Sequence, residues 1–245
     1  MPTVYRVPKN RFEDMASRLL NMLCGREHRK LVLIKPNICG FYPPTLNVLK
    51  AVTRYFVDLT DQVVIGETKS TMYDPEERFR SLGIYEALRD LGNKVKVKDL
   101  MEYEIINVKV PNARAVGRIP IPRPVIEADL IVNLARAGSH PSTRITAALK
   151  NLFGLVAEKY KYVKYHIRGI NGVIADVVKV VKPDANLVEV KEYVLASRDP
   201  LAVDIVAAQM LGLDPLGIRH FRLVAEDRGS RLENVIKETR IMDLE

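Results

Sequence analysis

Between residues 31 and 100 the chain alternates short apolar runs with helical repeats, and this rhythm is what most limits how it can fold. LVLIK at 31–35 reads as a buried strand, followed by a turn-rich loop from Asn37 to Pro44. Pro44 opens a helix with Leu46, Leu49, Val52 and Phe56 on one face. QVVIGE at 62–67 is a second strand, and Pro75 opens a second helix carrying Phe79, Leu82 and Leu88 that ends at Gly92. KVKVKDL at 94–100 is a third strand. A β-α-β-α-β run demands a parallel sheet, because only a crossover returns the chain in the same direction. Ligands are then expected beyond the carboxyl ends of the strands. Ahead of this unit, residues 12–24 carry Met15, Leu19 and Leu23 at helical spacing, closed by Gly25.

Residues 103–125 break the rhythm. IINVKV reads as a short strand, and RIPIPRPV as an edge strand or an extended excursion, since proline removes ladder donors. A seam between two lobes is expected near 111–125. Beyond it, ADLIVNL (128–134) is a buried strand, and AGSHPSTRITAALKNLFG (137–154) reads as a loop, a helix and a glycine stop. A basic and aromatic stretch occupies 158–169, a helix 172–183 and a long strand 186–197. Asp199 caps and Pro200 opens another helix, and a last one follows Pro215. The expected fold is α/β: a mixed, largely parallel sheet with flanking helices, forming one domain over 1–245 with two lobes around a central cleft.

Composition removes other classes. An apolar content of 47% excludes a disordered chain. Two cysteines cannot build a disulfide scaffold or hold an iron–sulfur cluster, which takes about four ligands. No apolar run approaches the ~20 residues that span a bilayer, and the first residues lack a signal-type apolar core. A cytoplasmic location and no membrane partner are the expectation. The net charge of +8 favours anionic partners, but its basic residues are spread along the chain rather than clustered, as on a charged, heat-adapted surface.

The segment 137–154 carries the most chemistry. Read as a helix from Pro141, it places Ile145, Ala148, Leu149, Leu152 and Phe153 on one face. Thr143, Thr146 and Lys150 lie opposite, below His140. A helix start there would offer free N–H groups to a carboxylate or phosphate, although any amphipathic helix shows water a polar face. Lys35 and Asn37 end the first strand and Glu67 the second, where an open α/β sheet binds its ligand. His140 and His166, with Asp176 or Glu67, could hold a divalent metal, though their spacing matches no recognised ligand motif. Asp204 stands in an otherwise apolar helix, either as a ligand or as a buried cap for another segment. There is no phosphate-binding glycine loop, dinucleotide fingerprint or nucleophile elbow.

The order of IKPN, VVIGET, ADLIVNLARAGSH, ITAALKNLFG, KYVKYH and VLASRDPLAVDIVAAQMLG resembles domain-of-unknown-function family 362, from about residue 31 to 229. That family's core reads like K-T-H followed by T-G-A-x-K-N-x-x-G. Here His140, Thr146, Lys150, Asn151 and Gly154 match, while Ala147 stands at the glycine. The glycine-rich segment many members carry before V-L-A-S is missing, as is their ferredoxin-like cysteine module. The order His140…Lys150…Gly154 is also similar to that in nickel-pincer lactate racemases, where a histidine precedes a lysine that holds the cofactor.

The resemblance turns Lys150 from a solvated lysine into a candidate functional one. It points to an enzyme or cofactor-handling protein that binds a small anion in a cleft. His140, Lys150 and His166 would be catalytic. Lys35, Asn37, Glu67, Thr143, Thr146 and Asn151 would bind ligand, and His140, His166, Asp176 and Asp204 would hold any metal. Two rivals remain: a nucleic-acid-binding protein using its basic surface and the 158–168 stretch, and a subunit without an iron–sulfur cluster of its own that works with a separate ferredoxin-like partner through an apolar patch near 117–125. A homodimer is compatible with each.

Overall fold

The computed structural model describes residues 1–244. Its strands are β1 (Thr3–Pro8), β2 (Arg29–Pro36), β3 (Thr60–Glu67), β4 (Val95–Asp99), β5 (Ile105–Lys109) and β6 (Arg118–Pro122). β7 (Leu130–Arg136), β8 (Gly138–His140), β9 (Arg144–Thr146), β10 (Ala185–Val190), β11 (Tyr193–Ser197) and β12 (Arg240–Asp243) follow. The helices are α1 (Phe12–Cys24), α2 (Leu46–Val57), α3 (Pro75–Ser81), α4 (Ile84–Leu88), α5 (Arg123–Glu127) and α6 (Ala148–Leu152). After them come α7 (Lys161–His166), α8 (Ile170–Val180), α9 (Pro200–Met210), α10 (Arg219–Asp227) and α11 (Leu232–Glu238).

Among the described residues one eight-stranded sheet runs in the order β12-β1-β11-β10-β7-β2-β3-β4. The five strands from β10 to β4 are parallel, and β11 turns back antiparallel between β10 and β1. The expected α/β class with a largely parallel sheet is the observed one. Both faces are covered, so the central strands read as unbroken apolar runs such as VVI and LIV rather than as alternating ones. Val32, Ile34, Val63 and Ile65 pack with α1 and α2 on one side, while Leu33, Val64, Ile131 and Val188 pack with α6, α8 and α9 on the other. No helix of the described residues is long and apolar enough to cross a membrane.

Several elements differ from expectation. Residues 186–197 form the hairpin β10–β11, not one strand, turning at Lys191 with φ of 49°. The left-handed residue is a lysine, so no Asn-Gly or Gly signal marks the turn. The helix expected from 75 to 92 breaks at Gly83, with φ of 71°, into α3 and α4. RIPIP forms β6, which pairs antiparallel with β5 in a separate two-stranded sheet, and RPV opens α5. The apolar patch expected at 117–125 is absent there, because Ile119, Ile121 and Val125 are buried.

The largest departure is at 137–147. This stretch is the hairpin β8–β9, and α6 begins only at Ala148. Pro141 suits the first position of a turn as well as the first turn of a helix, and Arg144 closes the hairpin at φ of 66°. Thr143, Thr146 and Lys150 therefore do not share a helix face.

Candidate functional site

Chain order reverses between β2 and β7. From β2 the next strands add on one side as β3 and β4, while β7 and β10 add on the other. This switch point is where an open α/β sheet leaves a crevice beyond its carboxyl ends. The register puts a polar row across it, with Lys35 beside Asn133 and Asn133 beside Asn186, all fully buried.

Burying such a row is tolerable only if every polar group is paired. Asn186 donates to the carbonyl oxygens of Ser197 and Arg198, at 3.3 and 3.2 Å. Asn133 donates to Asn186 Oδ1 at 2.9 Å and to the Ala148 carbonyl at 3.0 Å. Asn151, from α6, donates to Asn133 Oδ1 at 2.8 Å and to the Lys35 carbonyl at 3.0 Å. Lys35 Nζ donates to Asn151 Oδ1 (2.9 Å), Glu67 Oε2 (2.8 Å) and the Pro36 carbonyl (2.9 Å). Its three protons are all used inside the protein. Lys35, Glu67 and Asn151 thus form one sealed unit that braces the switch point. The direct ligand contact expected of Lys35 is not open to it, since its side chain has no solvent exposure.

Gly154 permits this unit. A Cβ there would lie 2.8 Å from Lys35 Nζ and 2.9 Å from Glu67 Oε1. Lys35 cannot swing away without giving up its bonds. Gly154→Ala is therefore expected to cost about 1–3 kcal/mol, as overpacked buried sites do. Chemical denaturation checks this through a lower midpoint at unchanged slope.

Above the unit lie two connected spaces. An inner recess of about 30 Å³ is bordered by Glu67, Gly154, Lys161 and Lys150. An outer cavity of about 290 Å³ is bordered by His140, Lys150, His166 and Tyr162, with Phe41, Tyr42, Met72 and Tyr73 toward solvent. Asn37, Cys39 and Thr146 border both. His140, Lys150 and His166 are thus brought together, as are Asn37 and Thr146. Thr143 is not part of this wall; it donates to the Ile145 carbonyl at 2.9 Å and holds the hairpin.

Lys150 is the least satisfied cation at the site. Among the described residues it has no ion pair and no hydrogen bond, and burial with Lys35 nearby lowers its pKa to about 8. His140 accepts from the Ser142 N–H through Nδ1 at 3.2 Å, which leaves its proton on Nε2. Burial first, then Lys150 and His166, lower its pKa to about 4, so it is neutral near pH 7. Burial and Lys150 lower His166 as well.

Lys161 was not among the expected site residues. Its ammonium bonds only neutral oxygens: the Thr68 hydroxyl and carbonyl and the carbonyls of Gly154 and Val156. Burial lowers its pKa to about 8 despite Glu67 nearby. The sequence offered it only as one lysine of a basic and aromatic stretch. In the fold that stretch is divided: Lys161 and Tyr165 point into the core, Tyr162 and His166 border the cavity, and Tyr160 is exposed.

The four residues expected to hold a metal do not come together. Asp176 is fully buried and accepts the N–H groups of Arg114, Ala115 and Val116 at 2.7–2.9 Å, pinning the loop before β6. Asp204 accepts the N–H groups of Ala148 and Leu149 at 2.7 and 2.9 Å, capping α6 from inside the apolar helix α9. Burial outweighs those two bonds and raises its pKa to about 8. Among the described residues there is no group of three or more His, Cys, Asp or Glu side chains placed to hold a metal.

The family described as "Domain of unknown function (DUF362)" matches residues 32–192, more than half of the chain. No curated protein matches it. Among solved structures, the lactate racemase apoprotein from Thermoanaerobacterium thermosaccharolyticum is similar in fold, with a TM-score of 0.52 at 13% identity. The match covers 84% of this chain and 56% of that one, so this chain spans little more than half of that protein's length.

Proposed function

The chain belongs to the DUF362 family, and we propose that it is an enzyme or cofactor-handling protein whose ligand is a small organic anion bound in the cavity at the switch point. The observation that carries this reading is the charge balance of the site. Lys35 is neutralised by Glu67, but Lys150 and Lys161 have no carboxylate within ion-pair reach among the described residues. The largely desolvated Lys150 ammonium, with the buried Lys161 charge behind it, is stabilised by an anion placed beside it.

In this reading Lys150 anchors the anion and Lys161, at the recess, supplies a second positive charge. The Nε2 proton of His140 is free to donate to an anionic oxygen. Asn37 and Thr146 add uncharged donors at the neck between recess and cavity.

Titration calorimetry with inorganic phosphate and with acetate, across pH, tests the reading. Burial lowers the pKa of both lysines to about 8, and binding needs them charged. Affinity for acetate, whose own charge is fixed in this range, should hold between about pH 6 and 7. Above pH 8 it should fall by up to about tenfold per pH unit for each lysine that must take up a proton. Affinity for both anions that stays constant from pH 6 to 10 would reject the proposal.

A further inference from the structure

The cavity changes character from its floor to its mouth. Lys150, Thr146 and Asn37 make the inner end polar, whereas Phe41, Met72 and the tyrosine rings of Tyr42 and Tyr73 border the way out, with the exposed Ser142 and His166 on its other side. Phe41 is 74% exposed and Met72 63% exposed. A single exposed apolar side chain needs no explanation. Here two of them stand on separate loops, one after β2 and one after β3, and border the same opening. Core packing does not account for them, since Ile38, close to Phe41 in the same loop, is fully buried.

Size points the same way. At roughly 30 Å³ per water, the outer cavity corresponds to about ten waters. A bare oxyanion beside Lys150 would leave most of that space, and all of the apolar mouth, wet. Covering those side chains would add favourable burial at the same site.

We propose that the ligand is an amphipathic organic anion, with its carboxylate or phosphate head beside Lys150 and an apolar tail running outward between Tyr42 and Tyr73 to cover Phe41 and Met72. This rests on the anion-binding reading above and specifies the ligand class for that site. Charge complementarity fixes the head at the inner end, and the continuous lining fixes the direction of the tail.

The test is calorimetry on the intact chain with two homologous series, straight-chain carboxylates from acetate to octanoate and n-alkyl phosphates from methyl to octyl. The arm that binds identifies the head group. In that arm affinity should rise about threefold per methylene over the first several carbons. Phe41→Ser and Met72→Ser, both at exposed positions, should flatten the rise while leaving the shortest member's affinity within about twofold. Equal affinity along the whole series would overturn the tail and leave the anion site standing. A rise that the two serine variants do not change would also overturn it, by placing the tail elsewhere. No binding in either arm, or binding that Lys150→Met leaves untouched, would overturn the anion reading and this inference with it.

Discussion

Glu67→Gln should lower the melting temperature by about 6–20 °C. The substitution keeps the shape of the side chain and removes its charge, leaving the Lys35 ammonium fully buried with only neutral oxygens. Breaking a buried pair by removing one partner costs about 3–5 kcal/mol, because the surviving charge has no water to return to. For a chain of this size each kcal/mol corresponds to about 2–4 °C. The double variant Lys35→Met with Glu67→Gln should recover part of the loss. It removes the stranded charge but leaves Asn151 Oδ1 without its donor, which costs about 1–3 kcal/mol. Thermal unfolding of both variants checks this. A single variant within about 2 °C of the parent would mean that the pair does not brace the switch point.

The same residues show what a sequence can and cannot convey. Lys35 and Glu67 were picked out by position alone, since strand ends at the crevice of a parallel sheet are where ligands bind. Both residues lie at the crevice, but Lys35 is held by Glu67 and Asn151 rather than left open to a ligand. Whether a lysine at a strand end faces a ligand or an internal partner depends on what the facing helix supplies, and here Asn151 on α6 closes it off. Asp204 shows the reverse. An isolated carboxylate in an apolar helix marked something needing partners, and both readings stayed open until α6 was seen to start at Ala148.

The hairpin at 138–146 was illegible for a local reason. Pro141, Ser142 and Thr143 suit a helix start and a turn equally, and the choice is made elsewhere. Ala137 donates to the Glu189 carbonyl at 2.8 Å, and Arg144 reaches the Gly217 carbonyl at 3.2 Å. Both are contacts between segments far apart in sequence. Lys161 stayed hidden for a similar reason, since its burial depends on Thr68 and Gly154, which pattern alone cannot bring to it. What carried through was the order of strands and helices, because apolar runs of strand length separated by amphipathic repeats permit few other arrangements.

Lys150→Met should weaken anion binding by about a hundredfold, in line with the cost of deleting one partner of a desolvated charge contact. Methionine keeps an unbranched apolar stem of similar reach, so the packing of this position of α6 changes little. The variant also has a signature that needs no ligand. Lys150 is the largest charge acting on His140 and also acts on His166, and in each it adds to burial in holding the imidazole neutral. Without it both histidines should titrate closer to the ordinary imidazole value. His140 stays below that value, because burial is the larger cause. The sign for stability follows from the same shift. With a folded pKa of about 4 against about 6.5 unfolded, the unfolded chain binds more protons between those values, so His140 costs stability as pH falls through that window. Lys150→Met should therefore lose less stability between pH 6.5 and 4 than the parent does. Imidazole proton resonances followed across pH, with unfolding measured at each end of the window, check both statements. Histidine titrations identical in parent and variant would place the Lys150 charge away from the cavity wall and remove the basis for an anion there.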